Sequence, residues 1–301
     1  MKLKYIIFIS IAMALISGCG EVSVDVDEDT YNPKIVVDAY IFPEYGVDNV
    51  RITRNYALNT EIDLNEFILT DADVQIKDME SATTYVLEFN PIKLNYEYSG
   101  NDLVIEYGKK YQLSVNARID GQDLQTTSIT TVPEKGFEIL EEKSSLQPLR
   151  YQEENENGTI QKFRVRFNRS PDVDSYLISI VALDASEETF VNDNIFGVDI
   201  EDIIEENDID LFKYQGQWQL TELGEGESEF TVEWFSVWFY GRYEIIIYAA
   251  DENYTDYFLT HNQIQDIDGN LWEPKFNFEG DGIGVFGACV PDTTYFEVIE
   301  D

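Results

Sequence analysis

A single histidine, His261, is available for acid–base or metal chemistry in this chain. A Ser-His-Asp hydrolase, or a zinc site with several histidine ligands, would have to be built around this one residue. Catalytic carboxylate pairs cannot be picked out among 59 Asp and Glu residues. We therefore expect a protein that is not an enzyme, with His261 on the surface or packed beside a helix.

A glycine-rich segment from Gly282 to Gly287, with the sequence GIGVFG, matches the spacing G-x-G-x-x-G. In dinucleotide-binding proteins this motif follows a strand, begins a helix and is part of an alternating strand–helix unit. No such alternation surrounds it here. We therefore interpret these glycines as positions of a bulge, a tight bend or close backbone packing.

The segment Asp266-Ile267-Asp268-Gly269-Asn270 has the acid-x-acid-Gly pattern of calcium-binding loops. Calcium takes six to eight oxygen ligands, and an EF-hand loop would place a glutamate at its twelfth position. Glu273 falls short of that spacing. Two interpretations stay open, a turn between strands and a calcium site that uses Asp266 and Asp268; no other cofactor is expected.

The segment from Trp234 to Tyr240 carries aromatic or apolar side chains on both faces of a predicted strand. Such a strand is usually covered on both sides by the rest of the protein. The alternative is an exposed platform for a sugar ring or a partner protein. Under that alternative the candidate ligand-binding residues are Trp218, Trp234, Trp238 and Trp272.

The N-terminal segment has the features of an export signal. Lys2 and Lys4 precede an apolar stretch from Tyr5 to Ile16 that is too short to span a bilayer comfortably. It ends in Leu15-Ile16-Ser17-Gly18-Cys19, which resembles the lipobox of bacterial lipoproteins. The resemblance implies a signal peptide at 1–18, lipid on Cys19 and a membrane anchor there. Residues 19–32 are then an acidic tether, and no other run is apolar enough to span a membrane.

Composition limits the classes of partner and the redox chemistry. The formal net charge of −39 excludes a nucleic-acid-binding role, because such a protein repels phosphate backbones. If Cys19 carries lipid, Cys289 has no disulfide partner in the chain. We expect Cys289 to be a buried small apolar residue and the fold to depend on core packing.

The elements that would position these residues are mostly strands. The first half alternates apolar and polar residues, with β-branched and aromatic types enriched. The predicted strands are 34–42, 50–57, 72–77, 83–89, 109–119 and 122–132, with a hairpin turn at Asp120-Gly121. This density of strands predicts an immunoglobulin-like or transthyretin-like β-sandwich over residues 33–132.

A boundary is expected near Pro133-Glu134-Lys135-Gly136, followed by a larger β-rich domain over 135–301 with one or two short helices. The predicted strands there are 137–142, 160–167, 176–183, 217–220, 230–240 and 243–250. Residues 251–264 begin with a capping residue and are predicted to form a helix. Residues 198–210 are interpreted as a short helix or an acidic loop. The fold class is therefore all-β.

Several segments, in this order, resemble one family. The lipobox and the acidic tether come first. The segments that follow them are Pro33–Ile41, Asp71–Val74, Tyr107–Leu113 and Asn277–Ala288. The set resembles the uncharacterised domain-of-unknown-function lipoproteins of Bacteroidota outer membranes, whose genes often lie beside those of TonB-dependent receptors. The resemblance implies an outer-membrane, surface-exposed accessory protein of such a receptor, and it supplies no catalytic residues.

Three functional hypotheses follow. The first is a non-enzymatic accessory protein that docks on a TonB-dependent receptor. The second is a glycan-binding surface lipoprotein, which the tryptophans motivate. The third is a fimbrillin-like structural subunit, since such subunits are also two-domain β lipoproteins.

Overall fold

The computed structural model describes residues 31–57, 60–201, 203, 209–217, 221–223, 226–261 and 274–300. Pro33–Asn55 and Ile62–Asp301 form one compact unit, to which all features described below belong. Met1–Asn32 and Tyr56–Glu61 form a second unit, of which only a few residues are described. The described fold is mostly β, which confirms the predicted all-β class.

The first half of the chain forms a β-sandwich around one core. Its strands are β1 (Ile35–Ile41), β2 (Val50–Arg54), β3 (Asp73–Asp78), β4 (Thr84–Asn90), β5 (Asn95–Glu97), β6 (Lys110–Ile119) and β7 (Gln122–Thr131), with a short helix α1 (Leu64–Phe67). Neighbouring strands follow the order β1-β2-β5-β4-β3-β6-β7. Each predicted strand of this half is present, because alternate side chains of each face the core; β5 was not predicted.

The hairpin turn predicted at Asp120-Gly121 joins β6 to β7. Both residues have positive φ, 51° and 78°. This conformation matches the twist of a two-residue hairpin and is one that Asp and Gly adopt readily. The turn fixes a ten-residue antiparallel register from Lys110↔Thr131 to Ile119↔Gln122.

The second half forms another core between two sheets. Its strands are β8 (Glu138–Ile139), β9 (Leu149–Arg150), β10 (Arg164–Asn168), β11 (Tyr176–Ala182), β12 (Tyr214–Gln217), β13 (Thr221–Glu222), β14 (Glu227–Thr231), β15 (Gly241–Ala250), β16 (Glu279–Gly280) and β17 (Gly282–Ile299). The four-stranded sheet β13-β14-β10-β8 packs against the β12-β11-β15-β17 part of the large sheet. The helices are α2 (Ile209–Lys213) and α3 (Glu252–His261).

One strand, β17, belongs to both cores. Its first part pairs with β1 in parallel, from Ile35↔Gly282 to Ile41↔Ala288, and its second part pairs antiparallel with β15. Phe286 therefore packs in the first core and Phe296 in the second. The sequence analysis did not predict this pairing. The division into domains 33–132 and 135–301 stays a prediction.

Asp281, between β16 and β17, connects the two edge strands of the first sandwich, β7 and β1, through backbone hydrogen bonds. The Asp281 N–H donates to the Gln125 carbonyl, and the Asp281 carbonyl accepts from the Ile35 N–H, both at 2.9 Å. At Gly284, φ is +106°, and an added Cβ would lie 2.0 Å from the Val37 carbonyl oxygen. The G-x-G-x-x-G segment is thus strand β17, where a glycine allows close backbone approach.

The predicted strand 230–240 is wrong beyond Thr231. β14 ends there, and Trp234–Ser236 form a 3₁₀ turn. Trp234, Val237, Trp238 and Phe239 are all buried, whereas Phe235 is half-exposed. Large apolar side chains on consecutive positions reach the same core through a turn, which an extended strand does not allow.

The predicted helix at 251–264 is confirmed over Glu252–His261, which form α3, and Asp251 caps it. Residues 262–264 lie outside the described residues. The Asp251 Oδ1 accepts hydrogen bonds from the N–H groups of Tyr254 at 3.0 Å and Ala288 at 3.1 Å. The Thr130 hydroxyl donates to the other carboxylate oxygen. Burial raises the pKa of Asp251. The start of α3 is thereby tied to β7 and β17.

Candidate protein-interaction surface

The two described tryptophans lie in the second core. Trp234 is buried, its Nε1–H donates to the Gln161 carbonyl at 2.9 Å, and its ring contacts Tyr151 and Phe163. This is a core position with its polar atom satisfied. It presents no free ring face to a ligand.

Trp238 lies beneath a group of phenylalanines and is 8% exposed. Phe196 stacks on it with ring centroids 5.5 Å apart and planes 15° apart. Phe212 meets it edge-on at 4.6 Å, and Phe190 stacks at 6.3 Å. The buried indole N–H of Trp238 has no hydrogen-bond partner in the described structure. Trp238 thus supports a surface made by its neighbours.

A hydrogen-bonded loop holds Phe196 in place. The buried Asn194 side chain donates to the carbonyls of Val191 at 3.0 Å and Val198 at 2.7 Å. Its Oδ1 accepts the N–H groups of Phe196 and Val198, both at 3.1 Å. The Ile195 N–H donates to the Tyr151 hydroxyl at 3.3 Å. An Asx-type turn of this kind fixes the backbone, so the direction of Phe196 is set before any partner binds.

We name the exposed side chains of Ile195, Phe196 and Leu211 the Phe196 surface. Phe196 is 60% exposed and stacks on Trp238, and Leu211 is 68% exposed and precedes Phe212, which also contacts Trp238. Grouped, exposed large apolar side chains typically mark a binding site on a soluble domain.

Acidic residues flank the members of this surface along the chain. The exposed carboxylates in the described segments on either side are those of Asp193, Asp199, Glu201 and Asp210. The one lysine of α2, Lys213, lies over the ring of Tyr214 at 5.4 Å. The surface therefore presents an apolar centre with a negative rim.

Five of the predicted site residues lie outside the described residues. These are Cys19, Trp218, Asp266, Asp268 and Trp272. Lipid on Cys19, calcium at Asp266 and Asp268, and ligand binding by the two tryptophans stay predictions. Within the described ranges, no group of three or more His, Cys, Asp or Glu side chains is arranged to hold a metal ion.

Two residues considered for chemistry are explained by packing. His261 is the last residue of α3, exposed, and stacked on Tyr257 at 5.0 Å. Cys289 is buried, and burial raises the pKa of its thiol to about 12, so the reactive thiolate is disfavoured. No helix in the described part of the chain is long and apolar enough to cross a membrane.

Sequence reasoning missed the Phe196 surface. The signal available was an apolar pair, Ile195-Phe196, directly after the polar run Asn192-Asp193-Asn194. Asparagine and the following glycine, Gly197 with φ +64°, favour a tight turn that exposes the residues between them. Trp238 was predicted as a ligand-binding residue, but the side chains exposed to solvent there are those of Ile195 and Phe196.

Fold and surface together define an all-β protein with an exposed aromatic side chain, Phe196, held over a buried tryptophan. The chain belongs to the family described as domain of unknown function (DUF4249), whose family model matches residues 20–294. This confirms the coarser part of the predicted resemblance, membership of an uncharacterised domain-of-unknown-function family.

Other comparisons give distant likenesses. No curated protein matches the chain. A bacterial ice-binding adhesin of 1.5 MDa, solved in a study of host cell surface retention, is 12% identical with a TM-score of 0.20. The match covers 89% of this chain and 64% of the adhesin chain. A chain from the crystal structure of Dpr11 IG1 bound to DIP-gamma IG+IG2 is 8% identical with a TM-score of 0.20, and the match covers 86% of this chain and 98% of that one. TM-scores this low do not establish a shared fold.

Proposed function

We propose that this protein is a lipid-anchored accessory protein of an outer-membrane TonB-dependent receptor. It has no catalytic activity in this proposal, and it docks on the receptor through the Phe196 surface. The observation that carries the docking step is the fixed, exposed aromatic ring of Phe196 over the buried Trp238.

Energetics favour a protein partner at this surface. Interface energy is concentrated in a few aromatic or large apolar anchors that enter pockets on the partner. Because the Asn194 turn already fixes the loop, Phe196 loses little conformational freedom on binding. The acidic rim complements a partner whose pocket is surrounded by Lys or Arg, and such complementarity raises the association rate and fixes the orientation.

Membrane attachment is supported by the sequence alone. A cysteine after a lipobox would carry two or three acyl chains, which together hold a protein nearly permanently, whereas one chain binds marginally. Placement on the cell surface rather than the periplasmic face is part of the proposal. It rests on the resemblance to surface lipoproteins.

Two alternatives keep their original motivation. Glycan binding would need exposed indole faces, and the described tryptophans, Trp234 and Trp238, have their rings covered by protein. Its case therefore rests on Trp218 and Trp272, outside the described residues. The fimbrillin-like structural role likewise stays a prediction.

Affinity purification from native membranes tests the docking proposal. The tagged, lipidated protein is purified from mildly solubilised outer membrane, and bound proteins are identified by mass spectrometry. We expect a TonB-dependent receptor in stoichiometric amount with the wild type. Phe196→Ser should lose the receptor, since an anchor residue contributes about 2 kcal/mol or more, at least a tenfold change in affinity.

Tyr45→Ser is the matched control. Tyr45 is also an exposed aromatic residue, 67% exposed, but it lies in the first sandwich beyond β1. This variant should retain the receptor. Recovery of the wild-type protein alone, or equal loss in both variants, would contradict the proposal.

A further inference from the structure

A polar cleft lies in the first sandwich, and its lining shares no residue with the Phe196 surface. Its volume is about 450 Å³, within the range of roughly 300–1,000 Å³ that small-molecule sites occupy. It opens between the end of β2, the β6–β7 hairpin and the segment that precedes β3. The charged residues that line it are Arg54, Glu66, Asp71, Arg118 and Asp120. The cleft thus combines two guanidinium groups with three carboxylates.

One side of the cleft carries a nearly buried arginine. The Arg54 side chain is 9% exposed, its Nη2 donates to the Asp120 carboxylate at 2.6 Å, and its Nη1 lies 4.0 Å from Glu66 Oε2. A charge this buried needs a charged partner. Asp120 belongs to the two-residue hairpin turn, so the register of β6 and β7 fixes the position of its pair with Arg54. The Arg54 guanidinium is therefore a fixed positive group.

The segment before β3 forms another side of the cleft, and its backbone is held by three hydrogen bonds. The Leu69 N–H donates to a carbonyl of β2 at 3.0 Å. The buried Tyr96 hydroxyl donates to the Leu69 carbonyl at 2.6 Å and accepts the Ala72 N–H at 2.9 Å. Thr70 and Asp71, between these contacts, are exposed, and no described residue hydrogen-bonds to their side chains. A fixed backbone thus presents a hydroxyl and a carboxylate that a ligand can use.

Charges of both signs in one cleft restrict the class of ligand. An anion would meet three carboxylates and a cation would meet two guanidinium groups, and like charges brought together oppose binding. A molecule that carries one group of each sign can pair both, and each pair is a charge-assisted hydrogen bond, the stronger kind. The described lining contains no aromatic ring on which a sugar could stack. The cleft therefore fits a zwitterion better than an ion of one sign or a sugar.

We infer that this cleft binds a small zwitterion of the amino-acid or short-peptide class. The ligand carboxylate pairs with Arg118, which is 69% exposed, beside the fixed charge of Arg54. The ligand ammonium pairs with Asp71 and Glu66, both of which are exposed. This inference goes beyond receptor docking and does not depend on it, because it uses neither the Phe196 surface nor the lipid anchor.

Equilibrium dialysis with labelled ligands tests the inference. The full lipidated protein, in detergent, is dialysed against alanine, trialanine, acetyl-trialanine, which lacks the ammonium, and trialanine amide, which lacks the carboxylate. We expect saturable binding of alanine or trialanine. Each blocked peptide should bind about tenfold more weakly than trialanine, because it loses one charge-assisted pair. Tighter binding of alanine than of trialanine would assign a free amino acid, and the reverse order would assign a peptide.

Charge-removing variants identify which group of the ligand each residue holds. Arg118→Gln should weaken binding of the zwitterion about tenfold and leave the weak binding of trialanine amide unchanged, since that peptide has no carboxylate. Asp71→Asn should likewise weaken the zwitterion and leave acetyl-trialanine unchanged. The matched control is Arg164→Gln on β10, whose arginine is also exposed, at 55%, and lies outside the cleft; it should bind as the wild type does.

Three results would overturn the inference. One is no binding of alanine or trialanine at millimolar concentration by protein whose circular dichroism shows it folded. Another is equal binding of trialanine and its blocked forms, which would mean that the charges are not recognised. The third is an equal loss in Arg118→Gln and Arg164→Gln, which would place the effect in the overall charge of the protein and not in the cleft.

Discussion

The two cores of this protein are built from different side chains. In the first core, buried residues are mainly aliphatic, and Tyr96, Tyr111 and Phe286 are its buried aromatic members in the described structure. In the second core ten buried residues are aromatic. They are Phe163, Phe167, Tyr176, Phe190, Phe230, Trp234, Trp238, Phe239, Tyr243 and Phe296. The candidate interaction surface lies on the aromatic core, since Phe196 stacks on Trp238.

Aliphatic side chains of the first core lie on alternate positions of regular strands. Large rings need edge-on and tilted contacts, such as Phe163 with Phe296 at 4.2 Å, and the backbone leaves the strand conformation to supply them. The 3₁₀ turn at Trp234–Ser236 and the loop carrying Phe196 are examples. An aromatic core thus extends outward to an exposed ring.

β17 connects the two cores, and Gly284 is the position where that connection is most sensitive. Gly284→Ala would place a Cβ 2.0 Å from the Val37 carbonyl oxygen at a φ of +106°. Because backbone atoms cannot move aside, we expect a loss of more than about 4 kcal/mol in the free energy of unfolding, or failure to fold. Urea unfolding followed by circular dichroism measures it.

Gly121→Ala is the control for the backbone effect alone. Gly121 also has positive φ, but no atom lies within 4 Å of an added Cβ. That variant should lose about 1 kcal/mol. Equal losses in the two variants would contradict a role for the β1–β17 contact.

Two phenylalanines on β17 test whether the cores unfold together. Phe286→Ala removes a buried ring from the first core and Phe296→Ala from the second, and each should cost about 3–5 kcal/mol. Two of the four tryptophans, Trp234 and Trp238, lie in the second core, so tryptophan fluorescence includes a signal from unfolding there. We expect both variants to lower the urea midpoint seen by fluorescence. An unchanged midpoint for Phe286→Ala would mean that the cores unfold independently.

Asp251 lies where the two regions meet, and its charge opposes folding at neutral pH. Burial raises its pKa in the folded state, so the folded protein binds the proton more tightly than the unfolded chain. Its contribution to stability is therefore greatest below the ordinary carboxyl pKa and falls as pH rises toward the raised value.

Asp251→Asn should remove this pH dependence while keeping the contacts. The amide oxygen can accept from the Tyr254 and Ala288 N–H groups, and the amide nitrogen can donate to the Thr130 hydroxyl. The unfolding free energy of the variant relative to wild type should rise between pH 4 and pH 7. A constant difference across that range would contradict the assignment.

The smallest effect belongs to an exposed pair in the second region. Two side-chain hydrogen bonds from Arg242, at 2.8 and 3.0 Å, hold the pKa of Asp184 at about 2. A lowered pKa stabilises the fold above the ordinary carboxyl value and loses that effect as pH falls from about 4 to 2. Because the pair is exposed, Asp184→Asn should cost less than about 1 kcal/mol at pH 6 and close to nothing near pH 2. Equal costs at both values would argue against the ion pair.

Local pattern predicted β1 to β4, β6 and β7 because each alternates around an aliphatic core. It could not predict that β17 pairs with β1, since periodicity identifies a strand but not its distant neighbour. Trp238 drew attention by residue type, yet it is covered by Phe196, and that exposure pattern is set only by tertiary contacts. The strand predicted for the aromatic run after Thr231 was wrong because only tertiary contacts determine that its consecutive side chains face one core.

The most direct test of the docking proposal is photocrosslinking in intact cells. A photoreactive amino acid replaces Phe196 in one variant and Tyr45 in the other, and both proteins keep their N-terminal anchor. The account predicts a specific adduct with a TonB-dependent receptor from position 196 and none from position 45. No adduct from position 196, or the same adducts from both positions, would contradict it.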